Sequence, residues 1–210
     1  LTDAQKTRVK AINSELATLS TQFSQNVLAE VNDSAIIVSD RAELAGLSDE
    51  QIAGFAESAK EKNMPGKYRI ALVNTTIQPI LPQLDNRALR ERIHKASVAR
   101  GARGNEWDNR AIVSKVTKLR AERAAIMGYP SYAAFSMAEE TAKNPEAVNA
   151  MLEKMAPPAV ANARKEGAVL QAMIDSEQKA KGEKTFALEP WDWSYYTEKV
   201  RKAQYDFDEA

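Results

Sequence analysis

The chain has 210 residues, 44% of them hydrophobic, which is enough for one large or two small domains with a true apolar core. Lys plus Arg and Asp plus Glu each total 29, so the net charge is zero and the overall basic excess of a nucleic-acid binder is absent. There is no Cys and one His, His94, which excludes disulfides, thiolate chemistry and a self-contained catalytic zinc site, since zinc takes His and Cys first.

The first element reads as a long helix. Thr2 and Gln5 form a capping box. Val9, Ile12, Leu16, Leu19 and Phe23 recur at steps of three and four, and Val27, Leu28 and Val31 continue the stripe. Such a stripe predicts a long amphipathic helix lying near-antiparallel on a partner. The β-branched run Ile36–Val38 breaks the period and predicts a short strand. Asp40 caps a short turn of helix that Gly46 ends, and Ser48 with Gln51 forms a second capping box. Ile52, Phe55, Ala56 and Ala59 give the following helix its apolar face. Residues 68–73, YRIALV, read as a second strand. Two isolated strands in a helical chain pair most simply with each other, so a small antiparallel element joining 36–39 to 68–73 is expected.

The remainder reads as helix. NTTIQPILPQL is expected to enter a helix after Thr75 or Thr76 with its prolines near the start. A helix over about 86–100 carries Leu89, Ile93 and Ala96. Another over about 108–127 carries Ile112, Val116, Leu119, Ala124 and Ile126, and Gly128 terminates it. Ser131 caps a short helix. Asn144 and Pro145 open the next in the usual N-cap and first-turn positions. Pro157 and Pro158 are expected to open a separate helix running to about Ala180. KGEKTFALE is a linker, and the last helix is expected to begin near Pro190. No tandem repeat occurs, no apolar run reaches the length of a membrane span, and no signal peptide is visible. The fold expected is all-α, of mostly antiparallel helices, with one small two-stranded β element.

Few residues announce chemistry. No phosphate loop, dinucleotide fingerprint, nucleophile elbow or paired carboxylate stands out. His94 beside Ile93 and Ala96 reads as a packed or exposed helix residue, because a catalytic His needs a base or an orienting partner. The arginine-rich stretch 87–110 reads either as an anion site or, with pairs such as Glu91 and Lys95, as a solvated helix face; the second is preferred. The densest unusual feature is PWDWSYY at 190–196. Trp193, Tyr196, Val200, Ala203 and Phe207 share one helical stripe, with Trp191, Asp192 and Tyr195 on other faces. The stripe packs in a core with the remaining aromatics filling a helix junction, or those aromatics line a groove for a peptide or other ligand.

Residues 1–23, AELAGLSDEQIA at 42–53, VNTTIQP at 73–79, NRALRERIHKAS at 86–97, LRAERAAIMGYPSYA at 119–133, AKNPEAV at 142–148 and the closing segment 190–210 together resemble the M3 zinc metallopeptidases, the thimet oligopeptidase-like family. The resemblance runs the whole chain in order. VNTTIQP and PWDWSYY lean toward the peptidyl-dipeptidase (dipeptidyl carboxypeptidase) branch, with the oligopeptidase A branch as the alternative. The resemblance implies two mostly helical halves around a deep channel, a zinc-bound water as attacking group and short peptides as substrates. It implies that residues 1–210 form the helical, non-zinc half, with a possible subdivision into 1–140 and 141–210. The family's His-Glu-x-x-His motif is not in this sequence, so the chain is expected to be a fragment that is inactive by itself, holds no zinc, and would need a separate C-terminal catalytic half. No catalytic residue and no metal ligand is assigned here. Trp191, Trp193, Tyr195 and Tyr196 match the family's closing motif and are the substrate-channel candidates. A stand-alone helical peptide-binding module without catalysis is the reading from another class. Nucleic-acid and membrane partners are not expected, whereas self-association through exposed apolar surface is. The cytoplasm is the expected compartment and the periplasm the alternative, since the chain begins with Leu1 and its native N-terminus is taken to be absent.

Overall fold

The computed structural model describes residues 1–205. Among them are eight α-helices and two short strands: α1 (Asp3–Asp33), β1 (Ile36–Val38), α2 (Asp49–Lys60), β2 (Tyr68–Ile70), α3 (Asn74–Ile80), α4 (Arg87–Ala99), α5 (Arg110–Ile126), α6 (Tyr132–Met137), α7 (Pro145–Lys181) and α8 (Trp193–Tyr205). They form two compact units, each built from two stretches of chain: Leu1–Glu30 with Gly101–Ala161, and Val31–Arg100 with the chain from Asn162 on.

The first unit rests on the stripe of α1. Ile12 and Leu19 bury against Ile112 and Leu119 of α5, flanked by Leu16, Val116 and Ile126. Arg8 pairs with Glu122, Glu15 with Lys115, and Asn26 with Asn109, so partner numbers fall as those of α1 rise and the helices run antiparallel. The stripe does not stay buried to Val31 as its spacing predicts. Phe23 is 39%, Val27 43% and Leu28 68% exposed. The reason is the length of the partner: α5 starts at Arg110, and the contact with Asn26 lies at its N-cap, Asn109. Beyond it, buried Glu30 accepts from Arg103 at 2.5 Å and from Asn105 at 3.3 Å, which closes the loop leading into α5. The guanidinium beside it holds the Glu30 carboxyl below its ordinary range against the opposing effect of burial.

The second unit carries the sheet. Ile36 pairs with Ile70 and Val38 with Tyr68, antiparallel, over a shorter span than the sequence indicates. Val38, Ile70 and Leu72 enter one core with Leu44, Ile52, Phe55, Ile80, Leu84, Leu89 and Ile93. Both capping boxes form, Thr2 with Gln5 and Ser48 with Gln51. Asp40 caps a 3-10 turn, Arg41–Leu44.

Besides the start of α8, two helix boundaries differ from expectation. α3 begins at Asn74, after an N-cap Val73 that offers no side-chain bond, and Pro79 lies near its end rather than its start. Pro157 and Pro158 open no helix; they lie inside the single helix α7. Each proline lacks the N–H that would bond the carbonyl four residues back. Those carbonyls belong to Glu153 and Lys154 on a fully exposed stretch, where water can bond them, so the helix continues. None of the described helices is long and apolar enough to cross a membrane.

Candidate functional site

The site is built around the aromatic segment, within the second unit. The linker into α8 is held by Gln171 of α7, which donates to the carbonyl of Phe186 at 2.9 Å and accepts from the N–H of Leu188 at 2.7 Å. The chain then turns at 190–192, so α8 begins at Trp193 and not at Pro190. Asp192 is fully buried, Tyr195 and Tyr196 are buried, and Trp193 is 37% exposed. The expected stripe of Trp193 with Tyr196 is therefore replaced by the adjacent tyrosines, whose rings meet edge to face at 5.2 Å. They pack with Leu170 and Ile174 of α7 and with Phe186 and Leu188. Phe207, placed on the same stripe, lies outside the described residues. Trp193 lies over Gly167 of α7, where a Cβ would come within 3.4 Å of its ring.

Asp192 is the anchor. Arg87 grips it with two nitrogens, Nε to Oδ1 at 3.0 Å and Nη2 to Oδ2 at 2.8 Å. Arg90, 1% exposed, reaches Oδ1 at 3.0 Å. Its remaining donors go to the carbonyls of Trp191, Leu84 and Asp85 at 3.2, 2.7 and 3.0 Å. The guanidinium of Arg87 stacks on Phe186 and that of Arg90 on Tyr195, each 4.1 Å from the ring centre. Arg87 and Arg90 are three apart on α4 and so project from one face.

The arginine-rich stretch is thus not a solvated face throughout. Glu91 and Lys95 do pair at the surface as expected. Arg90, by contrast, is core, and Arg100 donates to the carbonyl of Leu72. His94 packs against Trp191, ring centres 6.0 Å apart, with Lys95 over the same indole at 5.4 Å. The indole nitrogen of Trp191 is buried without a hydrogen-bond partner.

Beside this anchor opens a groove of about 500 Å³, lined by Asp85, Glu177, Lys181, Phe186, the two tyrosines and Lys199 among others. Its charges answer one another. Lys199 and Lys181 both bind Glu177, at 2.8 and 2.7 Å. Burial pushes the Glu177 carboxyl up, but those two ammonium groups outweigh it and leave it below its ordinary range. The Tyr195 hydroxyl donates to Asp85 at 2.7 Å. Burial, and then the neighbouring carboxylate, raises its pKa well above that of a free phenol. Burial likewise pushes Tyr196 up to about 12. Neither tyrosine is an available base, and the two lysines beside them are held in ion pairs with Glu177. The arrangement can bind and orient a ligand; the described residues show no group set to carry a bond-breaking step.

A stability effect follows. The unfolded chain releases tyrosine protons near pH 10, while the fold keeps that of Tyr196 to about 12. Below pH 10 both states hold the proton and stability is independent of it. Between those values the folded state binds more protons, so stability falls as pH rises. Absorbance of the folded protein should show two phenols that resist ionisation near pH 10 and appear only on unfolding. All phenols titrating together near 10 in the folded chain contradicts this.

Sequence reasoning singled out Trp191, Trp193, Tyr195 and Tyr196. It missed Arg87, Arg90, Asp85 and Asp192 as a unit. The available signal was Asp192 itself, a carboxylate between two tryptophans, since a charge in so apolar a run needs a cation. Among the described residues no three His, Cys, Asp or Glu side chains come together as a metal-binding group.

The model of peptidase family M3 matches residues 80–210, which include α4, α7 and the aromatic segment. Over its whole length the chain is 40% identical to the dipeptidyl carboxypeptidase of Escherichia coli and 39% identical to that of Salmonella typhimurium, covering 30% of each. It is 32% identical to oligopeptidase A of Escherichia coli across 96% of this chain and 29% of that protein. The chain thus spans about 30% of the length of these relatives. With more than half of its residues inside the family match, among them the Arg87–Arg90–Asp192 anchor, the chain belongs to peptidase family M3.

Proposed function

We propose that this chain is the helical, non-zinc part of a zinc metallopeptidase that removes dipeptides from the free C-terminus of short peptides. The observation that carries the reading is the identity profile: 40% to a dipeptidyl carboxypeptidase over every residue, against 32% to oligopeptidase A. With one His and no Cys in the chain, the metal and its ligands belong to the part of the family's length that this chain does not span. Trp191, Trp193, Tyr195 and Tyr196 serve as the wall of the substrate channel. The half-exposed indole of Trp193 supports a direct contact with peptide, and the buried tyrosines support it from behind. Met151, Leu152, Met155 and Val160 are exposed on α7, which supports coverage of that face in the whole protein, or self-association without it.

The test uses the full-length enzyme and one peptide in two forms. A dipeptidase cleaves the peptide with a free C-terminus and leaves the amidated one intact. Equal cleavage of both assigns the oligopeptidase A activity instead. In the same assay Trp193→Ala should raise KM several-fold with kcat little changed, whereas an unchanged KM removes Trp193 from the channel. The 210-residue chain alone, with zinc added, should give no turnover of either peptide.

A further inference from the structure

Arg69 is the middle residue of β2, opposite Ile37 across the ladder. It is 8% exposed, as deeply placed as a core residue. Its Nη1 donates to Ser58 Oγ at 3.2 Å and its Nη2 to Asn32 Oδ1 at 3.4 Å. Both acceptors are neutral and both bonds are long. Among the described residues no carboxylate pairs with it. Arg90 makes the contrast: also buried, it has Asp192 at 3.0 Å.

A guanidinium withdrawn from water without a counter-ion is costly, and proteins normally pair such a charge or present it to a ligand. Arg69 lines an open groove of about 340 Å³ between α2, β2 and α3. Among the described residues no Asp or Glu lines that groove, and Arg69 is the only charged one that does. Around it stand the hydroxyls of Ser58, Thr75 and Thr76, and the floor is made by Phe55 and Ile80, both buried. The volume is in the range of small-ligand sites, in which a few polar groups orient an otherwise apolar body.

We propose that this groove binds a small carboxylic acid that carries an apolar group. The carboxylate takes the free edge of the Arg69 fork, the geometry in which guanidinium recognises carboxylate best. The hydroxyls bond its remaining oxygen lone pairs, and the apolar group lies on Phe55 and Ile80. A neutral amide of the same shape keeps the apolar contact and loses the ion pair.

The probe is N-acetylphenylalanine, compared with its amide and with inorganic phosphate, titrated calorimetrically into the 210-residue chain. The acid should bind at least tenfold more tightly than the amide. Arg69→Gln should abolish that preference. Because removing a buried Arg can unfold the unit, Gly54→Leu is the second variant. Gly54 of α2 lines the groove and a Cβ built there meets nothing within 4 Å, so the larger side chain should take up groove space and the fold should keep its circular dichroism and lose no melting temperature, while acid affinity falls at least tenfold. Equal binding of acid and amide, no binding of either, or full affinity in a folded Gly54→Leu overturns the proposal. So does binding of phosphate without the acid, which would make this a site for bare oxyanions. The readout is binding by this chain, so it stands or falls separately from the peptidase reading.

Discussion

Replacing Asp192 with Ala should cost roughly 3–5 kcal/mol of folding stability, the range for breaking a buried ion pair by removing one partner. The cost comes from what stays behind. Arg90 remains 1% exposed with its carbonyl contacts intact but its charge unanswered. Arg87, at 34% exposure, can turn toward water and loses less. The linker also loses the bond from the Glu189 N–H to Asp192 Oδ2, at 3.2 Å, which shapes the turn into α8. The control is Glu91→Ala on the same helix. Its pair with Lys95 is shorter, 2.5 Å against 3.0 Å, yet Lys95 is 65% exposed. Burial rather than distance decides the value, so this loss should stay within about 1 kcal/mol. Urea unfolding followed by tryptophan fluorescence measures both. If Asp192→Ala lowers stability by no more than Glu91→Ala does, the triad is not the anchor of the site.

The same triad marks where sequence reasoning runs out. The Ser48–Gln51 box is legible because each bond joins residues three apart, and chemistry at that range is the same in any fold. The first strand is legible because three consecutive β-branched residues in a helical chain have few alternatives, and the second because an isolated strand needs a partner. Asp192 and Arg90 are about a hundred residues apart, and nothing local to either names the other. Read alone, NRALRERIHKAS is a good charged helix, and only packing shows that one of its arginines is core. The prolines of α7 fail in the opposite sense. The local rule predicts a break, and helix on both sides, with the freed carbonyls on an exposed stretch open to water, overrides it. The aromatic segment was found but misphased. Tyr195 and not Trp193 joins Tyr196 on the buried face because Leu170 and Ile174 of α7 pack there, and a stripe argument has no means of seeing which face the partner helix covers. The two units, each assembled from separated stretches, are a tertiary property of the same kind.

Gly46→Ala should destabilise the protein by roughly 2–5 kcal/mol although Gly46 is exposed, where most substitutions stay within about 0.5 kcal/mol. Two costs add. Gly46 has φ +92, a left-handed conformation that penalises any residue with a Cβ by about 1–2 kcal/mol. The new methyl would also meet the Gln83 carbonyl oxygen at 2.0 Å and the Asp85 nitrogen at 3.1 Å. Those are backbone atoms, which cannot rotate away as a flexible side chain can, and forced repacking adds about 1–3 kcal/mol. The displaced segment is one the site depends on. The Asp85 N–H bonds the Ala45 carbonyl at 2.9 Å, its carbonyl accepts from Arg90, and its carboxylate accepts from Tyr195. The clash should therefore disturb both tyrosines as well as the loop, and release the phenols to titrate nearer their ordinary pH. Gly54→Ala is the matched control. It lies inside α2 with open space at its Cβ, so the same methyl should stabilise by about 0.5–1 kcal/mol through helix propensity. Urea midpoints should move in opposite directions for two exposed glycines given an identical substitution. A Gly46→Ala variant as stable as the parent would mean that the 83–85 segment yields freely, and a site resting on Asp85 could not then be held as rigidly as its hydrogen bonds require.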